Sequence, residues 1–287
     1  MKPTEWMRTP VGAVYHLNLM PEQLADTIIL VGDPDRVEKV SRHFDCIEYR
    51  VQHREFVTHT GIMGPQRISV VGTGIGTDNI DIVLNELDSL HNLDFVDEQP
   101  LTAPKSLRLI RLGTSGALQA DLEVGTILCS SMALGLDGLM PFYADAADPE
   151  WVDYTKALLE AVPELRHTAI PVLNAADPGF LDQVAQTDLP RGFTLTCAGF
   201  YAPQGRRLRL NARIDDFIEQ IADFRFPNGM RITNIEMETA GIYGLARLMG
   251  HRAVSVNAIL ANRATGHRCQ NPVEIIDHMI RTVLERL

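Results

Sequence analysis

The chain has 287 residues, of which 45% are hydrophobic and 22% charged, with a formal net charge of −11. That length can bury one large α/β core as naturally as two smaller ones, and the composition is that of a globular protein rather than a disordered or fibrous one. The acidic balance excludes a broad nucleic-acid-binding surface, which needs clustered Lys and Arg.

No stretch approaches the roughly 20 apolar residues that span a bilayer. The first 21 residues carry Lys2, Glu5 and Arg8 and contain no apolar signal core. A cytoplasmic protein with no membrane partner is therefore expected. Cys46, Cys129, Cys197 and Cys269 are scattered without a C-x-x-C pair, which points to neither a disulfide framework nor a zinc site.

Taken in chain order, residues 27–31, 68–71, 107–112, 126–130, 169–173, 232–235 and 253–261 are short β-rich runs. Several lack polar alternation, as buried central strands do. Helical spacing appears over 78–90, with Asp78 or Asn79 as N-cap, over 151–161 after Pro149-Glu150, over 239–249 before Gly250, and over 272–287. This alternation predicts an α/β fold with a mixed, largely parallel sheet covered on both faces, built as a single domain over residues 1–287. Segments 92–105 and 138–149 are polar and contain prolines, so they read as surface excursions rather than domain linkers.

The motifs follow the same order. Tyr15-His16 is ambiguous alone. The first strand runs into Gly32-Asp33-Pro34-Asp35-Arg36, and the strand carrying Arg111 runs into Gly113-Thr114-Ser115-Gly116. Glycine lets backbone N–H groups approach an oxyanion, and arginine adds a planar charged fork matched to phosphate or carboxylate. Two such strand ends can converge on one dianion at the edge of an open sheet, although each alone also reads as an ordinary strand-to-turn junction. Gly72-Thr73-Gly74-Ile75-Gly76 has the wrong spacing for a dinucleotide fingerprint and reads as a close backbone approach to some other ligand. His53-Arg54-Glu55-Phe56 looks like a hairpin tip. Glu236 and Glu238 lie where a strand passes into a helix, a position that suits either substrate binding or N-terminal capping. Phe200, Gln204 and Arg206 offer an aromatic platform, an amide and a guanidinium able to meet the acceptors and N–H of a planar heterocycle, or simply a polar turn.

As an ordered set, Tyr15-His16-Leu17, Gly32 to Lys39, His53 to Phe56, Thr73 to Gly76, Arg111 to Ala117, Phe200-Tyr201-x-x-Gln204-x-Arg206, Glu236-Met237-Glu238 and Asn262-Arg263 resemble the nucleoside phosphorylases, and most closely their uridine phosphorylase branch. The resemblance implies a three-layer α/β/α fold with a mixed central sheet. It implies no organic cofactor, with uridine and inorganic phosphate as substrates. It also implies a homo-oligomer, at least a dimer and a hexamer in bacterial relatives, in which residues 1–20 contribute to a neighbouring subunit's site.

By the same resemblance, Gly32, Arg36, Arg111 and Thr114, with Ser115 and Gly116 beside them, hold phosphate, and Arg54 reaches in from a neighbour. Met237 and Glu238 contact the ribose, Glu236 is a further substrate-binding residue, and His16 of the neighbour meets the 5′-hydroxyl. Phe200, Gln204 and Arg206 meet the base, and Leu260 and Arg263 are further substrate-binding residues. Arg111, Glu238 and Arg206 are the expected catalytic residues. Purine-directed relatives usually carry an aspartate where this chain has Asn262, which favours uridine over a purine phosphorylase or nucleosidase on the same scaffold. A nucleoside-binding protein without turnover is the reading from another class, and the retained Arg36, Arg111, Thr114 and Glu238 speak against it. The resemblance also implies a monovalent cation, such as K+, between subunits at Glu55, Ile75 and Asn79. Thr77-Asp78-Asn79 departs there from the glycine, proline and serine common in the family.

Overall fold

The structure, a computed structural model, describes Lys2 and residues 4–287, so Met1 and Pro3 of the N-terminal segment lie outside the described residues. The chain divides into two compact units, Met1–Ile110 with Met249–Arg252, and Arg111–Leu248 with Ala253–Leu287.

In the first unit, β1 (Thr27–Val31) has all five residues buried, as its unbroken apolar run requires of a central strand. It turns at Gly32 into α1 (Asp35–Ser41), which the sequence reading did not anticipate. A hairpin follows, β2 (Cys46–His53) and β3 (Phe56–Met63), then β4 (Gln66–Gly72) and α2 (Thr77–Asn92). The strands lie in the order β2-β3-β4-β1. β1 and β4 are parallel, with Val31 opposite Gly72, so their C-terminal ends sit side by side. Thr73 N–H donates to the Val31 carbonyl at 2.8 Å, which ties the two following loops together.

α2 begins one residue earlier than expected and is capped by Gly76 rather than by Asp78 or Asn79. Gly76 has φ +97°, a conformation that L side chains rarely adopt, so the turn into the helix falls on the residue that can make it. Ile80, Val83, Leu84 and Leu87 form the buried face of the helix. The excursion at 92–105 is closed at its base by Asn92, whose Nδ2 donates to the Lys105 carbonyl at 3.1 Å and whose Oδ1 accepts from Lys105 N–H at 2.7 Å. Trp6 packs edge-on against Phe95, and Arg8 pairs with Glu98.

β5 (Arg108–Ala117) passes from the first unit to the second. The sequence reading ended this strand at residue 112 with a turn after it. It instead continues through Gly113-Thr114-Ser115-Gly116, because Gly116 and Ala117 pair with Ile235 and Asn234. The second unit then contains β6 (Ile127–Leu136), α3 (Val152–Ala161), β7 (Val172–Ala175), α4 (Pro178–Ala185), β8 (Arg191–Cys197), α5 (Phe217–Asp223), β9 (Asn234–Glu236), α6 (Thr239–Met249), β10 (Arg252–Asn262) and α7 (Pro272–Leu284). Pairing runs β10-β6-β8-β9-β5, and β10 also pairs with β5, so these five strands close into a ring.

β6–β8 and β8–β9 are parallel, whereas β10–β6, β6–β7 and β9–β5 are antiparallel. The sheet is mixed as expected, but less parallel than the alternation suggested. In the first unit β2, β3 and β4 are joined by two-residue turns, which permit only antiparallel neighbours. Packed on the second unit's strands is a cluster that includes Leu134, Phe193, Leu195, Phe226 and Ile232, with Phe193 stacked on Phe226 at 4.7 Å.

Candidate active site

The second unit buries its central charge pair, Arg111 on β5 and Glu238 just beyond β9. Arg111 projects from β5 and folds back over its own strand, so that a Cβ at Gly113 would overlap the guanidinium. Gly113 therefore makes room for arginine, a different task from the N–H approach expected of it. Arg111 Nη2 lies 2.6 Å from Glu238 Oε2 and 3.0 Å from Glu236 Oε2. Its Nη1 donates to Asn257 Oδ1 at 2.8 Å and to Ser255 Oγ at 3.4 Å. Burial by itself would depress the Arg111 pKa, but the facing carboxylates of Glu236 and Glu238 outweigh it and hold the guanidinium above its ordinary value.

The two glutamates divide the roles left open by the sequence. Glu236 Oε2 accepts from Glu238 N–H at 3.0 Å, Thr239 N–H at 2.9 Å and Thr239 Oγ1 at 2.8 Å, while Oε1 accepts from Thr196 Oγ1 at 2.5 Å. It is thus occupied in capping α6, whose first residue is Thr239. Glu238, 5% exposed, is the carboxylate turned to Arg111. Met237 between them is half-buried. Thr114 is half-buried on β5, whereas Ser115 Oγ accepts from Asn234 Nδ2 at 3.0 Å and is engaged within the sheet.

After β8 the chain makes a single turn at Ala202–Gln204 that gathers the residues which the resemblance assigns to the base. Arg206 lies 3.6 Å from the Phe200 ring centroid and donates to the Phe200 carbonyl at 2.7 Å and to Gln204 Oε1 at 2.5 Å. This fixes the Gln204 amide, leaving Nε2 as a donor and one Oε1 lone pair as an acceptor. Arg263 Nη1 donates to the Gln204 carbonyl at 3.1 Å, and its side chain crosses Gly116. Burial, then the Arg263 charge, lower the Arg206 pKa to about 10. Leu260 is half-buried in β10.

Asn262 is fully committed elsewhere. Its Nδ2 donates to the carbonyls of Gln119 and Leu122, both at 2.9 Å, and its Oδ1 accepts from Ala264 N–H at 2.9 Å and Thr265 N–H at 3.0 Å.

The first unit brings together another set. A Cβ at Gly32 would stand 3.4 Å from the Gly74 carbonyl, and Arg36, 7% exposed, stands in the first turn of α1. Arg54 sits at the β2–β3 tip with φ 55°, its guanidinium 5.0 Å from the Tyr15 ring centroid. His16 Nδ1 is 2.7 Å from Glu86 Oε1. Glu55 lines a cleft with Glu38, Arg50 and His59.

A monovalent cation needs oxygen donors converging on one point. Asn79 instead directs its Nδ2, a donor, at the Ile75 carbonyl at 3.4 Å. Among the described residues no group of three or more His, Cys, Asp or Glu could hold a metal ion.

Sequence reasoning missed Ser255, Thr239, Asn257 and Glu86. For Ser255 and Asn257 the signal was present: two polar residues at i and i+2 within the apolar run of β10 share one face of the strand.

Residues 26–287 match the model of the phosphorylase superfamily. The chain is 32% identical over 260 residues to a uridine phosphorylase of Thermococcus kodakarensis, covering 90% of this chain and 80% of the relative. It is 27% identical over 279 residues to the uridine phosphorylase of Escherichia coli, covering 95% and 96%. A solved structure described as a Trypanosoma brucei nucleoside phosphorylase that shows uridine phosphorylase activity matches with a TM-score of 0.88 at 26% identity, over 98% of this chain and 99% of that one. The ordered motifs, the mixed α/β sheet and these likenesses agree: the chain belongs to the phosphorylase superfamily.

Proposed function

We propose that the protein is a uridine phosphorylase, a pentosyltransferase that moves ribose from N1 of uracil to inorganic phosphate. The observation that carries this reading is the combination, within one unit, of a buried Arg111–Glu238 pair with a loop in which Arg206 holds the Gln204 side-chain amide and Arg263 its backbone carbonyl.

A phosphate oxygen attacks C1′ as the C1′–N1 bond breaks. The bonding electrons leave with uracil and spread over its two carbonyl oxygens, and the uracil anion takes a proton from solvent. On the second unit Arg111 and Thr114 hold the phosphate; on the first unit Gly32 and Arg36 carry the other phosphate-binding motif, and Arg54 serves a neighbouring subunit. Guanidinium groups neutralise the dianion and aim one oxygen at the sugar. Glu238 accepts from ribose hydroxyls, and its charge, with that of phosphate, stabilises the oxocarbenium-like transition state. Arg206, with its cation disfavoured by burial and by Arg263, gains from negative charge developing on the base, while Gln204 meets the N3–H and a carbonyl. Phe200 packs near the ring. No organic cofactor takes part, and no step runs through a metal ion.

The chain works as one domain in a homo-oligomer, at least a dimer, in which the N-terminal segment serves the neighbour's site. The cytoplasm is its compartment, and no helix among the described residues is long and apolar enough to cross a membrane. Uridine is preferred to purines because the four bonds of Asn262 leave it no proton to give a purine ring. The test is release of free base from uridine, thymidine and inosine with and without phosphate. Phosphate-dependent uracil release is expected. Release that ignores phosphate, or faster release of hypoxanthine, sinks the assignment.

A further inference from the structure

We infer that Glu86 is a positioning residue for recognition of the nucleoside 5′-hydroxyl, acting through His16. The inference rests on the reading above, in which His16 enters a neighbouring subunit's site.

Glu86 lies on α2, and its carboxylate gathers the segment around His16. Oε1 and Oε2 accept from His16 N–H at 2.8 and 3.1 Å, Oε2 accepts from Leu17 N–H at 2.8 Å, and Oε1 stands 2.7 Å from His16 Nδ1. On the other side, His53 Nδ1–H donates to the His16 carbonyl at 2.9 Å. The His16 backbone is thus held at both its N–H and its C=O, while the imidazole remains 28% exposed against 14% for the Glu86 side chain. Arg54, at the hairpin tip beside His53, stacks over Tyr15, so the two groups meant for the neighbour share one support.

An ionised carboxylate only accepts hydrogen bonds, so the proton of this contact belongs to Nδ1. In the neutral ring Nε2 then carries the lone pair and can accept from a hydroxyl, and ring rotation is checked by the same bond. A capping role alone would need only the two backbone N–H groups. The additional bond to Nδ1 fixes the tautomer of a ring that nothing else in the first unit requires to be fixed. Such an outer partner orients a ligand-contacting histidine without touching the ligand itself.

The test is a comparison of uridine with 5′-deoxyuridine, which lacks the group to be recognised. In Glu86→Gln the amide oxygen can still accept from the backbone, while its NH2 turns Nδ1 into an acceptor and moves the ring proton to Nε2. We expect kcat/KM for uridine to fall about tenfold, that for 5′-deoxyuridine to stay within about twofold, and KM for phosphate to hold. The ratio between the two nucleosides is measured on one protein sample, so any loss of folded fraction cancels. Equal loss on both substrates, or no loss on uridine, overturns the proposal. His16→Ala separates the levels: if it discriminates between the nucleosides and Glu86→Gln does not, the Glu86 inference alone fails. If neither variant discriminates, the placement of His16 at the 5′-hydroxyl fails and the inference with it. If wild-type protein releases no uracil with phosphate present, the phosphorylase reading itself is wrong.

Discussion

The second unit holds its central charge pair under cover, with Arg111 6% and Glu238 5% exposed, whereas the first unit presents Arg54 and His16 from a hairpin tip and an N-terminal turn. In the second unit one side chain serves both chemistry and structure, because Arg111 is also the counter-charge for two buried carboxylates. In the first unit the contact groups sit on top of a support made by other residues, Glu86, His53 and Tyr15. Substitution should therefore damage fold and function together in the one, and function alone in the other.

The largest effect expected is from Arg111→Ala. Leaving Glu236 and Glu238 buried without their cation should cost about 3–5 kcal/mol of stability in urea denaturation. Steady-state assay should show kcat/KM for uridine reduced by about a thousandfold or more, since a charge-assisted clamp on phosphate is lost. Near-normal turnover would break the site assignment. Gly113→Ala sharpens the same point by geometry, because its methyl must push the Arg111 guanidinium aside. A loss of about a hundredfold in kcat/KM is expected from such a displacement, with both carboxylates still neutralised. A crystal structure of this variant should show Arg111 moved.

Arg206→Ala tests the leaving-group side of the second unit. Here kcat/KM for uridine should drop by roughly ten- to a hundredfold, the loss of one or two charge-assisted hydrogen bonds, while KM for phosphate holds. The smallest change is expected from Arg54→Ala in the first unit. KM for phosphate should rise about tenfold and become less sensitive to salt, with kcat largely kept and no loss of denaturation midpoint. A stability loss there matching that of Arg111→Ala would erase the distinction between the two regions.

Legibility in the sequence cut across that division. β1 was readable because five consecutive apolar residues admit no other burial, and α6 kept its expected bounds because Gly250 stops it. β8 was hidden because Thr194 and Thr196 interrupt its apolar pattern, and their burial depends on hydrogen bonds from Ser130 and to Glu236 that only the assembled sheet provides. β2 was hidden for the opposite reason, since its residues alternate between exposed and half-buried. Arg111, Glu238, Gln204 and Arg206 stood out as motif residues. That Glu236 would cap α6 while Glu238 makes the closer pair with Arg111 could not be read, because both carboxylates lie at the same strand-to-helix junction and only their hydrogen-bond partners in the folded chain distinguish them.

The backbone of Arg54 has a consequence for how this protein could be made hardier. A residue with a side chain at φ 55° stores about 1 kcal/mol or more that glycine would release. Arg54→Gly would thus harden the hairpin while removing the guanidinium that the proposed mechanism assigns to phosphate. Screening variants for heat tolerance alone would reward that exchange, and selection for turnover would reverse it. The tip is a place where endurance and catalysis are set against each other within a single codon.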